Sequence, residues 1–156
     1  MNCRYGRSIR GANEMMDYAA ARTKMVDNQI RTTDVTSHSV LSAFLSVPRE
    51  AFVAPELKAL AYIDEDMLVA PAANGNPARY IMEPSPLAKL LQLAAIGKDD
   101  LVLEVGCGAG YTAALLSLLA GSVVATECDE ALVTKASEKL SELGYDNVAV
   151  VSAKLE

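Results

Sequence analysis

The chain has 156 residues, of which 51% are hydrophobic and 22% charged, with 9 Gly, 6 Pro, three Cys and no Trp. This composition excludes a disordered, collagen-like or disulfide-scaffold chain, and the length suits about one domain. The net charge is −6, with +3 on residues 1–31 and −9 on the remainder. So acidic a chain lacks the basic face that phosphate contacts demand, which argues against nucleic acid as a partner.

Residues 1–16 read as a disordered extension. Their first twelve, MNCRYGRSIRGA, carry three arginines and no acid, and no apolar stretch of the length a secretory signal needs. A short organelle presequence is the competing reading. Residues 17–83 read as a helical region. Asp17 suits an N-cap for a helix to Arg31. Thr36 or Ser37 caps a second helix through Ser46, with Val40, Leu41, Phe44 and Leu45 inward. Pro48 opens a short turn, and Pro55 sits at the first position of a helix over Glu56–Tyr62. Residues 64–80 are rich in Asp, Asn, Gly and Pro, which is loop chemistry, with room for a strand at Met67–Ala70.

Residues 84–156 alternate helix and strand. Leu87, Leu90, Leu91, Ala94 and Ala95 define one face of a helix that Gly97 closes. Leu101–Val105 is an apolar strand, Gly106–Gly110 a glycine loop and Tyr111–Ala120 a helix. Ser122–Glu127 is the next strand, Asp129 caps a helix that Gly144 ends, and Asn147–Val151 is a third strand. The alternation implies a parallel sheet with right-handed crossovers and helices on both faces. Gly106 to Thr126 carries no charge, but four glycines interrupt it, so no membrane span is expected.

The chemistry concentrates at Glu104-Val-Gly-Cys-Gly-Ala-Gly-Tyr111. Glycine permits tight turns and close approach of a ligand to the backbone. The following helix N-terminus offers N–H groups to an anionic group. A dinucleotide fingerprint would require glycine where Tyr111 stands. Glu127 ends the second strand 21 residues after Gly106, where a carboxylate accepts hydrogen bonds from a ribose diol. Together these point to a nucleoside cofactor, without choosing NAD or S-adenosylmethionine. Cys3, Cys107 and Cys128 are odd in number and widely spaced, as free thiols in a reducing, cytoplasmic compartment are. No CxxC exists and His38 is the only histidine, which leaves no Cys/His metal set.

With these residues placed, the chain resembles the protein-L-isoaspartate O-methyltransferase family, a Rossmann-like class of S-adenosylmethionine-dependent enzymes. The resemblance rests on the loop at Val102–Ala114, on Met25–Arg31, on Val47-Pro-Arg-Glu-Ala-Phe-Val53 and on Ala61–Asp64. It implies methyl transfer to the carboxylate of L-isoaspartyl residues in damaged proteins. It also implies cofactor contacts from Glu104, Gly106, Cys107, Gly108, Gly110, Tyr111 and Glu127. Glu104 reads equally as a contact to the methionine part of the cofactor and as a cap of the glycine turn. Cys107 reads as a small side chain that fits the turn, His38 as a surface or packing residue, and Arg49 as an internal ion-pair partner.

Three departures stand out. Met82 occupies the family's active-site serine position, so the catalytic residue is unassigned. Ala153-Lys-Leu155 replaces the family's Gly-Asp-Gly. The family also continues past the third strand, so residues 1–156 read as a fragment in which Leu101–Val105 is an edge strand. A non-catalytic relative that binds S-adenosylmethionine or a partner is the alternative function. An NAD(P)-dependent oxidoreductase is the third.

Overall fold

The computed structural model describes residues 16–73 and 75–154. The expected extension, apart from Met16, lies outside the described residues, as do Cys3 and Leu155. Helix α1 (Tyr18–Met25) begins at Asp17, whose carboxylate accepts from the Ala20 N–H at 3.0 Å. It does not run to Arg31 as one α-helix. The path loosens into a π-turn at Val26–Ile30, tightens at Arg31–Thr33, and ends where Asp34 takes φ 65°.

Helix α2 (His38–Ser46) is capped by Ser37, whose Oγ accepts from the Val40 N–H. It buries Val40, Leu41, Ala43 and Phe44. Leu45, expected inward, is exposed, as is His38. The helix expected over Glu56–Tyr62 is a 3-10 segment at Pro55–Leu60. The loop-like stretch 64–80 contains a hairpin rather than a lone strand. Strands β1 (Met67–Ala70) and β2 (Arg79–Ile81) pair antiparallel, and Ala73 and Asn76 exchange backbone hydrogen bonds across Gly75.

Helix α3 (Pro84–Ala94) buries Leu87, Ala88 and Leu91. Leu90, Ala94 and Ala95, expected on that face, are exposed. The helix is closed by Ala95 at φ 50° and not by Gly97. Strands β3 (Leu101–Val105), β4 (Ser122–Glu127) and β5 (Val148–Ser152) then form a parallel sheet in that order. Helices α4 (Tyr111–Leu119) and α5 (Glu130–Glu142) connect them, the second capped by Asp129 as expected.

Side chains alternate across the sheet. Val123 and Ala125 are buried beneath α4 and α5. The opposite face presents Leu101, Leu103, Val105 and Val151 to solvent, and β3 is an edge strand of the described sheet. One apolar cluster runs from Met25 through Phe44 and Tyr111 to Leu140, joining the N-terminal helices to α4 and α5. Burial of this kind contributes about 25 cal/mol for each Å² of apolar surface removed from water. No described helix is long and apolar enough to cross a membrane.

Candidate functional site

The site lies at the carboxyl ends of β3 and β4, where parallel α/β sheets place their ligands. The loop between β3 and α4 turns on Gly106, Gly108 and Gly110, at φ 78°, 55° and 92°. These angles lie in the left-handed region, which side chains with a Cβ rarely adopt. Gly110 is held twice over, since a Cβ there would lie 3.3 Å from Ala136 and from Leu140 on α5.

The loop's donors turn inward. The N–H groups of Gly106 and Cys107 both bond the Thr126 carbonyl, that of Gly108 bonds Glu127, and that of Gly110 bonds the Cys107 carbonyl. These four are therefore taken within the protein, and the expected offer of N–H groups to an anion is left to the start of α4. What the loop supplies is a bare backbone surface that a ligand can approach closely.

The expected site residues fall into three places. Glu104 points to the covered side of β3, and its Oε2 is buried with no partner among the described residues. Burial pushes its carboxyl up to about 7. A cap of the glycine turn would show a hydrogen bond from a loop N–H to this side chain, and none is present among the described residues. Cys107 is buried beside it, and burial, with the nearby Glu104 and Glu127 charges, pushes its thiol up to about 12. That thiol is inert packing.

Tyr111 is among the residues that line the site, and its ring is buried. It is 1% exposed and packs edge-on against Phe44 and Phe52, with ring centroids at 6.4 and 5.7 Å. The Arg49 guanidinium stacks over it at 4.9 Å. Arg49 itself is fully buried and takes part in no ion pair among the described residues. Its expected ion-pair role is corrected to a cation–π contact, worth about 2 kcal/mol when desolvated.

Glu127 is the centre of the site's charge. Its Oε1 accepts from the Cys128 N–H at 2.8 Å and the Asp129 N–H at 3.2 Å, and its Oε2 from the Gly108 N–H at 3.1 Å. Arg79, reaching from β2, adds Nη2 to Oε1 at 3.3 Å and Nε to Oε2 at 3.4 Å. Burial alone would raise the carboxyl, but Arg79 and the backbone N–H groups outweigh it and hold it below its ordinary value. Arg79 was invisible in the sequence. No local pattern links a residue in a polar loop to an acid 48 positions away.

Two clefts meet at Val105 and Gly106. One, of about 180 Å³, is walled by Arg79, Thr126, Glu127, Cys128 and Ala153. The other, of about 280 Å³, is walled by Tyr80, Met82, Leu87, Glu104, Cys107 and Thr112 among others. An elongated ligand lying over Gly106 would have Glu127 at one end and Glu104 at the other. Met82 lines the second cleft and offers no hydroxyl. Ser85, three residues on, is buried on α3 and lines neither cleft. No group of three or more His, Cys, Asp or Glu side chains suits a metal ion among the described residues.

Comparison with known proteins bears on this geometry. Residues 20–154 match the family described as Protein-L-isoaspartate(D-aspartate) O-methyltransferase. A Protein-L-isoaspartate O-methyltransferase 2 of Anaeromyxobacter sp. (strain Fw109-5) is 39% identical over 127 residues, covering 81% of this chain and 50% of the relative. A Protein-L-isoaspartate O-methyltransferase of Koribacter versatilis is 36% identical over 139 residues, covering 89% and 60%. The chain thus spans about half to three fifths of the length of these curated relatives.

Among solved structures, a protein-L-isoaspartate O-methyltransferase superposes with a TM-score of 0.71 at 28% identity, over 83% of this chain and 41% of that one. A Plasmodium falciparum beta-aspartate methyltransferase, in complex with S-adenosyl-L-homocysteine, superposes with a TM-score of 0.64 over 87% of this chain and 62% of that one. At 16% identity it speaks for the fold alone.

Proposed function

Since the chain belongs to the protein-L-isoaspartate(D-aspartate) O-methyltransferase family, we propose that it serves methyl transfer from S-adenosyl-L-methionine to the carboxylate of L-isoaspartyl residues in damaged proteins. The observation that carries this is the pair of clefts joined at Gly106, with one carboxylate at each end. The residues fit the cofactor. Glu127 suits the ribose diol, and the bare glycine backbone permits close approach. Glu104, with an unpaired buried oxygen, suits the ammonium of the methionine part. A counter-charge there would relieve its desolvation and lower its pKa. Tyr111, standing where a dinucleotide fingerprint requires glycine, speaks against the nicotinamide reading.

When bound, S-adenosylmethionine supplies a methyl group made electrophilic by its sulfonium. The acceptor carboxylate is already ionised near neutral pH and needs no base. What remains for the protein is to align the two groups and keep water out. Tyr80, Met82 and Leu87 give the second cleft an apolar wall for that purpose. A protein or peptide acceptor fits the acidic chain better than nucleic acid or an anionic membrane surface. Free thiols at Cys107 and Cys128 support a reducing, cytoplasmic setting.

Met82 also supports a second reading, a relative that binds the cofactor without turnover. It cannot donate a hydrogen bond to the acceptor, and a neighbouring cleft places Asp66 and Glu83 beside it, where they repel an anionic acceptor. Incubation of the chain with methyl-labelled S-adenosylmethionine and an isoaspartyl peptide separates the two. Label in the peptide as a base-labile ester is the outcome of the first reading. Saturable cofactor binding with an unlabelled peptide is the outcome of the second.

A further inference from the structure

Arg79 stands where a ribose diol would have to bond. A carboxylate offers about four lone-pair positions. Five N–H groups converge on Glu127, from Gly108, Cys128, Asp129 and twice from Arg79, and its side chain has 0% exposure. The three backbone donors belong to the glycine loop and to the end of β4 and are fixed by the fold. Arg79 is different. Its side chain is 19% exposed, and it stands on a hairpin strand that leans over the loop, with Val69 Cγ2 3.8 Å from where a Gly108 Cβ would be. Its Nη1 also bonds the Pro77 carbonyl at 2.9 Å, which gives the guanidinium a resting contact away from Glu127.

We propose that Arg79 sets the specificity of the ribose subsite by occupying the place of the diol, so that a ligand binds Glu127 only by exchanging two O–H donors for the two N–H donors of Arg79. This rests on the reading of the glycine loop as an adenosyl site. The exchange keeps the number of hydrogen bonds to Glu127 constant for a ligand with both hydroxyls. A ligand without them would leave a buried carboxylate partly unpaired, which is costly. Arg79 therefore lowers affinity for every ligand that reaches Glu127, and excludes those that cannot replace it. Discrimination of this kind comes from penalising the wrong ligand rather than from contacts to the right one.

Calorimetric titration of the chain with S-adenosyl-L-homocysteine and with 2′,3′-dideoxyadenosine tests this, on the wild type, Arg79→Ala and Arg79→Gln. Arg79→Ala is expected to bind S-adenosyl-L-homocysteine at least about fivefold tighter than wild type, with Arg79→Gln between them. Arg79→Ala is also expected to respond to the dideoxynucleoside more strongly than wild type, because binding no longer strips two donors from Glu127. A purely structural Arg79 would give the opposite sign, weaker binding in the variants. Wild-type binding with equal or weaker binding in Arg79→Ala overturns the exchange and leaves the adenosyl reading standing. No binding to any of the three proteins overturns that reading and the exchange with it.

A second measurement needs no variant. In the nitrogen-15 spectrum of the wild-type chain, the Arg79 Nε–H signal is expected to move on saturation with S-adenosyl-L-homocysteine and to stay in place with dideoxyadenosine. A signal unmoved by bound S-adenosyl-L-homocysteine overturns the exchange.

Discussion

Glu104 and Glu127 are both carboxylates at strand ends, yet their surroundings drive them apart. The Glu104 carboxyl is raised from 4.5 to about 7 by burial, with no donor to offset it. Between those two values the folded protein holds a proton that the unfolded chain has released. Stability contributed by this group is therefore lost as pH rises through that window, and the loss is complete above about pH 7. Glu104→Gln is expected to exceed wild type in stability by roughly 1–3 kcal/mol at pH 8 and to match it near pH 4. Urea unfolding at the two pH values measures this, and equal stability at pH 8 would contradict it. Glu127, held below its ordinary value, works in the other direction. Its contribution is present at neutral pH and is lost only as pH falls below the usual carboxylate range.

Arg49 is a second buried charge. Its Nη2 donates to the Glu65 carbonyl at 3.5 Å, while Nε and Nη1 have no partner among the described residues, so its desolvation is offset by that bond and by the Tyr111 ring. A methionine of similar length avoids the desolvation and forgoes the cation–π contact. Arg49→Met is expected to stay within about 1 kcal/mol of wild type, whereas Arg49→Ala leaves a cavity and loses about 3 kcal/mol. Thermal unfolding of the two variants distinguishes them.

The elements differ in how much of them could be read from the sequence. Asp17, Ser37 and Asp129 cap their helices as their residue types predict, because capping is local chemistry. The three parallel strands follow from short apolar runs between helices. The hairpin is not legible in the sequence: Asn74-Gly75 is a strong hairpin signal, but Pro71 and Pro77 and the absence of alternation around it favour a loop. Periodicity alone puts Leu90, Ala94 and Ala95 on the inward face. The helix ends in a left-handed residue at Ala95, and its last turn faces solvent, which spacing does not reveal. The Arg79–Glu127 contact depends on the hairpin folding back over the loop, and a pairing over that distance leaves no trace in one sequence. The glycine loop was legible because its angles require its residues. Gly110→Ala combines φ 92° with close contacts to Ala136 and Leu140 and is expected to cost about 1–3 kcal/mol. A chemical unfolding midpoint equal to wild type would contradict that.

At the scale of the whole molecule, the N-terminal helices and the sheet share one core, and Tyr111 is the joint. Its backbone starts α4 beside the loop, while its ring anchors Phe44, Phe52 and Arg49. The clefts are thus walled by both parts of the chain, the hairpin on one side and the carboxyl ends of β3 and β4 on the other. A ligand that bridges them stabilises the folded state by mass action. The proposed site is a single bed for an adenosyl ligand, formed by Glu104, Gly106 and Glu127. The most direct test is calorimetric titration of the wild-type chain and Glu127→Gln with S-adenosyl-L-homocysteine, with NAD as the control. Saturable one-to-one binding to wild type, at least about tenfold weaker in Glu127→Gln, with no heat from NAD, is the expected result. Binding of NAD, or S-adenosyl-L-homocysteine affinity unchanged in Glu127→Gln, would contradict it.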